Sequence, residues 1–154
     1  RFSNSKKETS LILNDNNVTD LIRSNSISKN VSEVSALKIV RDFMVEIQRQ
    51  MASDKDCILE GRDIGSVVFP NAEFKFYLDA KAEIRAARRL KELINQDKSV
   101  TLDDLITQIK RRDFLDTNRK ISPLIRTKEA IVIDTSSMDV DEQIEQIVKI
   151  INNK

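Results

Sequence analysis

Histidine and tryptophan are absent from this 154-residue chain, which has only two glycines, two prolines and one cysteine. Each scarcity removes a class of function. Without histidine there is no imidazole base, no Ser–His pair and no histidine metal ligand. The lone Cys57 excludes an internal disulfide and a cysteine-cluster metal site. No apolar run approaches the roughly 18 residues of a membrane span, and no signal-peptide pattern is visible. A net charge of +1 is too small for a broad nucleic-acid surface. The expected setting is cytoplasmic, with neither a membrane nor a nucleic-acid polymer as partner. Chemistry in this chain has to use carboxylates, guanidiniums, amines and hydroxyls.

Hydrophobic residues make up 40% and charged residues 33%, as expected of a folded domain. Residues 1–35 are polar and turn-rich, with one apolar run, "SLILN" at 10–14, read as a strand before the turn "NDNN". A helix is expected from about Ser32 to Ser53, because Leu37, Val40, Met44, Ile47 and Met51 step by 3, 4, 3 and 4. "CILE" at 57–60 reads as a buried strand ending at Gly61, and "FKFYLDA" at 74–80 as a second. Residues 81–94 are helical, and "NQDKSV" breaks that helix. Thr101 and Asp104 form a cap-like pair opening a helix to about Asn118. "AIVIDTS" at 130–136 is a third strand. A closing helix carries Val140, Ile144, Ile147, Val148 and Ile151 on one face. Strands alternating with helices imply a parallel α/β sheet with covered faces.

Three groups of residues carry chemical interest. "GRDIG" follows the first of these strands, and ligands of open α/β sheets bind beyond the carboxyl ends of strands. Gly61 allows a turn or close approach there, which leaves Arg62 and Asp63 projecting into the crevice. In "RRDFLDTNR", Arg112, Asp116 and Arg119 are spaced 4 and 3 apart, so a helix places them on one face. Arg85, Arg88 and Arg89 form a third basic group, and Arg41 lies off the apolar stripe of its helix. Each group has a plain alternative: a loop salt bridge, or a solvated ion-paired face. Read together, separate elements that each carry arginine suit phosphoryl transfer, which needs positioning and neutralisation of spread negative charge.

"NVSEVSALKIVR", "EGRDIGSVVFPNAEFKFYLDA", "IKRRDFLDTNR" and "VIDTS", in this order and spacing, resemble bacterial cytidylate kinases from about Asn14 to the C-terminus. The resemblance implies a P-loop nucleoside monophosphate kinase-like α/β fold, a parallel sheet with helices on both faces. It implies ATP- and Mg²⁺-dependent phosphorylation of CMP or dCMP. By position, Ser32, Arg41 and Asp63 match residues that read cytosine. Arg62, Arg112 and Arg119 match arginines on the CMP phosphate or the transferring group, and Asp116 matches the carboxylate at the sugar hydroxyls. Arg85 and Arg89 match lid arginines that close over ATP. Glu60 stands where the family commonly has Asp. The resemblance divides the chain into part of a small insert (1–31), a core segment with the GRD motif (32–84), a lid region (85–112) and a C-terminal core segment (113–154).

One family feature is missing. G-x-x-x-x-G-K-[ST] needs glycines five apart, the second followed by Lys; here they are four apart, and Ser66 follows Gly65. The sheet is therefore expected to lack its central P-loop strand in this chain. The start at Arg1 rather than Met is what a fragment or processed product would show, with a monomer expected once such an upstream segment is present. The alternatives are a non-catalytic CMP-binding remnant or a regulatory module, and a plain α/β interaction domain with surface arginines.

Overall fold

A computed structural model describes residues 2–5, 8–53, 56–93 and 100–153. Strands β1 (Phe2–Ser5), β2 (Glu8–Leu13) and β3 (Asn16–Asn17) form an antiparallel sheet in chain order. The β2–β3 connection is the two residues Asn14 and Asp15, at φ 48° and 63°. Both φ values are left-handed, which a primed hairpin turn demands and which Asn and Asp tolerate best. The predicted strand and turn are thus found, with two flanking strands that the apolar pattern does not reveal.

The single helix expected over 32–53 is two helices, α1 (Asn25–Ser35) and α2 (Lys38–Ala52). The chain turns extended at Leu37, φ −68° and ψ 128°. Ser35 sits at the break, its hydroxyl donating to the Ser32 carbonyl 3.2 Å away, a local bond that competes with helix continuation. The apolar stripe of α2 is real but open: Leu37 and Met51 are each 55% exposed. What α2 turns toward the rest of the chain is its polar face, through Arg41 and Arg49.

"CILE" is not a strand; residues 56–60 are irregular, and Ile58 is 98% exposed. A parallel strand exists through its ladder partners, and none pairs with this segment among the described residues. A one-turn π-helical segment, Ile64–Val68, follows it. The parallel sheet consists of β4 (Phe76–Asp79) and β5 (Ile131–Asp134), in register from Phe76↔Ile131 to Asp79↔Asp134. Helices α3 (Ala82–Leu93) and α4 (Leu102–Asn118) pack on each other, and α5 (Val140–Asn152) closes the chain. Residues 94–99, where the sequence predicts the break before α4, lie outside the described residues.

The helix starts follow from local chemistry. The Thr101 hydroxyl accepts from the Asp104 amide at 3.2 Å. Asp139 and Glu142 complete a reciprocal capping box at α5. The expected cover on both faces of the parallel sheet is only partial: Leu78 and Val132 stay 51% and 43% exposed, whereas Ile133 is buried.

Among the described residues the buried apolar side chains are few: Val68, Ala80, Ala86, Leu105 and Ile133. The accessible surface is 12064 Å², whereas a compact 17.7 kDa chain exposes about 8,000 Å². Open apolar faces of this extent bind hydrophobic dyes. Titration of the chain with anilinonaphthalene sulfonate is expected to raise dye fluorescence severalfold; no enhancement would mean that the faces of α2, α5 and the parallel pair are covered in solution.

Candidate functional site

The site begins at the turn after residue 60. Gly61 is needed there for space rather than for backbone freedom, because neither glycine has positive φ. A Cβ on Gly61 would lie 2.9 Å from Cγ1 of Ile64, which folds back over it. The Asp63 carbonyl then accepts from the amides of Val67 and Val68, at 2.8 and 3.2 Å, and starts the π turn. Arg62 and Asp63 leave this turn in different directions, each toward an oppositely charged partner.

Asp63 is buried and pairs with Arg41 of α2 through Oδ2 and Nη2. Its other oxygen, Oδ1, lies 3.8 Å from Nη2 of Arg119. Asp116, also buried, accepts from Nε of Arg62 at 3.0 Å, with Nε of Arg112 3.7 Å from the same oxygen. Arg112 and Asp116 share a face of α4 as their spacing predicts. Arg119 does not share it: α4 ends at Asn118, and Arg119 is the extended residue after it, φ −65° and ψ 143°. Arg119 returns to the site because its Nε donates to the Ser122 carbonyl at 2.5 Å, with Ser122 held at φ 50°.

Two buried carboxylates are therefore bracketed by four guanidiniums, a formal excess of two positive charges. Burial, and then the neighbouring Arg62, push the Arg112 guanidinium below its usual range. Burial does the same to Arg119, with Asp63 opposing. Both remain cations at neutral pH, held where positive charge is disfavoured. Nε of Arg41, Nε of Arg112 and Nη2 of Arg119 are buried without a hydrogen bond. A polyanion bearing several acceptor oxygens satisfies both the charge excess and these donors.

The other predicted residues stand apart. Ser32 is buried on α1, which packs on α4, but its hydroxyl bonds no member of the cluster. Arg85 is engaged by a two-point fork to Asp113 of α4, at 3.0 and 2.5 Å, and by the Ala80 carbonyl at 3.0 Å. Hydrogen bonding to Asp113 raises its pKa further. Arg89 meets Glu92 of its own helix at 2.8 Å. Arg88 donates to the carbonyls of Thr135 and Met138 and fixes the chain after β5. Among the described residues no three acidic or thiol side chains gather to hold a cation. Mg²⁺ in phosphoryl-transfer sites is held by one or two carboxylates together with substrate phosphates, so such an ion needs no cluster of this kind.

Sequence reasoning missed two contributors. Arg49 of α2 donates to the carbonyls of Val67 and Val68 at 2.8 and 2.9 Å. Asp113 occupies Arg85. A signal for Arg49 was available: it lies two turns after Arg41, on the same face. A cleft of about 410 Å³ runs beside this face, lined by Arg41, Val45, Arg49, Val67 and Ser122.

Comparison with known proteins bears on the chemistry. The family model described as cytidylate kinase matches residues 1–153. The chain is 45% identical over 137 residues to a cytidylate kinase of Fusobacterium nucleatum, covering 89% of this chain and 63% of that protein. Identity to the cytidylate kinase of Clostridioides difficile is 42% over 146 residues, covering 95% and 68%. For that of Desulforamulus reducens it is 43% over 142 residues, covering 92% and 64%. The chain thus spans about two thirds of the length of these curated relatives.

Breaking a buried pair leaves an uncompensated charge. Asp63→Asn strands Arg41 and Arg119, and urea unfolding of the chain is expected to show a loss of about 3 kcal/mol. A loss below about 0.5 kcal/mol, the size of an exposed pair, would show that the cluster is solvated.

Proposed function

The chain belongs to the cytidylate kinase family, and from that membership we propose that its arginine cluster is the monophosphate half of a site that phosphorylates CMP or dCMP from ATP, giving CDP or dCDP. The observation that carries this reading is the excess of two positive charges around two buried carboxylates. The charge excess equals that of a phosphate monoester dianion. Arg62, Arg112 and Arg119 take the phosphate oxygens. Asp116 accepts from the sugar hydroxyls, and Ser32, Arg41 and Asp63 read the base. Arg85 and Arg89 belong to the donor side, Arg85 after releasing Asp113. These two arginines stand on α3, in the segment matched to the family's lid.

In the reaction an oxygen of the CMP phosphate attacks the γ-phosphorus of ATP, and the bond to the ADP oxygen breaks. The nucleophile is already an anion and needs no base, which suits a chain without histidine. Guanidiniums in fixed positions neutralise the charge spread over the transferring oxygens, and little covalent help is required. Mg²⁺ supplies charge neutralisation at the ATP phosphates in this class of reaction.

Nothing in this chain replaces the amides and lysine of G-x-x-x-x-G-K-[ST]. That absence favours a second reading for the chain by itself, binding of CMP without turnover. Calorimetry is expected to show CMP bound more tightly than UMP or AMP. Arg112→Ala is expected to weaken CMP about thirtyfold, the loss of a charge-assisted contact of about 2 kcal/mol. Equal or absent binding of the three monophosphates would sink the nucleotide-site reading. An ATP-to-CMP assay on the isolated chain is expected to stay at blank; robust turnover would overturn the binding-only reading.

A further inference from the structure

Arg49 lies outside the charged cluster and bonds the turn that begins at Asp63. Arg41 and Arg49 are eight residues apart on α2, about 12 Å along the helix, with Val45 between them on the same face. At one end Arg41 holds the Asp63 carboxylate. At the other, Arg49 donates through Nε to the Val68 carbonyl at 2.9 Å and through Nη2 to the Val67 carbonyl at 2.8 Å. The amides of Val67 and Val68 both donate to the Asp63 carbonyl, so the segment that Arg49 grips begins at Asp63. Val68 is almost wholly buried and cannot shift freely to compensate. The last carbonyls of a helical turn have no partner within it and are open to outside donors, and a planar guanidinium can reach two neighbouring carbonyls at once.

We infer that Arg49 is a positioning residue for base selection: by clamping the carbonyls of Val67 and Val68 it fixes where the Asp63 carboxylate stands. The inference rests on the proposed nucleotide site. Two of the three proposed phosphate arginines, Arg62 and Arg112, meet a separate carboxylate, Asp116. The third, Arg119, lies 3.8 Å from Asp63, but its Nε is held by the Ser122 carbonyl. Loss of Arg49 therefore affects reading of the base more than holding of the phosphate, whereas a residue that merely supports the fold would affect both equally.

The test uses Arg49→Ala and Arg49→Lys in the full 154-residue chain, below the melting temperature of each variant. CMP and UMP affinities come from calorimetry, and inorganic phosphate affinity from competition against CMP. In Arg49→Ala the CMP-over-UMP preference is expected to fall about tenfold, the value of one hydrogen bond to a charged group, with phosphate affinity held within about twofold. Arg49→Lys keeps the charge but cannot fork two carbonyls, so it is expected to recover melting temperature more than preference. An unchanged preference in Arg49→Ala overturns the positioning role. A parallel fall of CMP, UMP and phosphate also overturns it, making Arg49 a fold residue. If the unsubstituted chain binds no CMP, the nucleotide site itself fails and the role of Arg49 fails with it.

Discussion

Asp63 and Asp116 impose the constraint around which the described segments are arranged. A carboxylate removed from water is several kcal/mol unfavourable unless cations and donors surround it. Neither residue finds that compensation nearby in its own segment alone. Asp63 draws Arg41 from α2 and Arg119 from the chain after α4; Asp116 draws Arg62 from the turn that also holds Asp63. Three stretches separated in sequence, α2, the turn at 61–63 and α4 with the residue after it, are thus fixed relative to one another by two anions. Supporting bonds serve the same end: the Leu124 amide donates to the Asp116 carbonyl at 2.8 Å, and Ser122 takes a left-handed conformation to receive Arg119.

Legibility in the sequence tracked how local the cause was. Asn14–Asp15, the cap at Thr101 and the acidic entry to α5 are decided within a few residues, and each could be read directly. The stripe of α2 was equally visible, but periodicity reports an apolar face without reporting what covers it. Here the stripe is open and the opposite, polar face makes the contacts. "CILE" failed for a related reason: apolar, β-branched composition suits a strand, but a strand is a pairing, and pairing is not encoded in four residues. The break between α1 and α2 was missed because the apolar stripe begins only at Leu37, where the chain turns extended, and so says nothing of residues 32–36.

Of the site, the motif residues were legible and their partners were not. Arg62, Asp63, Arg112, Asp116, Arg119 and Arg41 come together around the two carboxylates. Spacing could not show that Arg119 reaches Asp63 rather than sharing the face of Arg112, since that depends on α4 ending one residue earlier. Nor could it show that Arg85 is forked by Asp113, a partner 28 residues away. Long-range ion pairs leave no periodic trace. For a chain without histidine, this matters to the chemistry. Guanidiniums cannot act as bases, so their contribution is fixed entirely by placement, and placement is the part that sequence spacing leaves undetermined.

The polar cluster and the apolar surface are organised independently. Hydrophobic burial is non-directional, and with five buried apolar residues among the described ones it could not by itself define the angle between α2, the GRD turn and α4. Charge pairs and carbonyl forks are directional, and they join the segments that carry the predicted monophosphate-side residues, that of Ser32 through the exposed Arg111–Glu33 pair at 3.4 Å. The open faces lie elsewhere, on the stripe of α2, on α5 and on the β4–β5 pair, and none of these surfaces includes a member of the cluster. Whatever meets those apolar faces acts on stability through area, whereas the orientation of Arg62, Asp63, Arg112, Asp116 and Arg119 is set by the two buried anions. Under the proposed function, that placement preorganises the cluster for an anionic ligand before any other surface is covered.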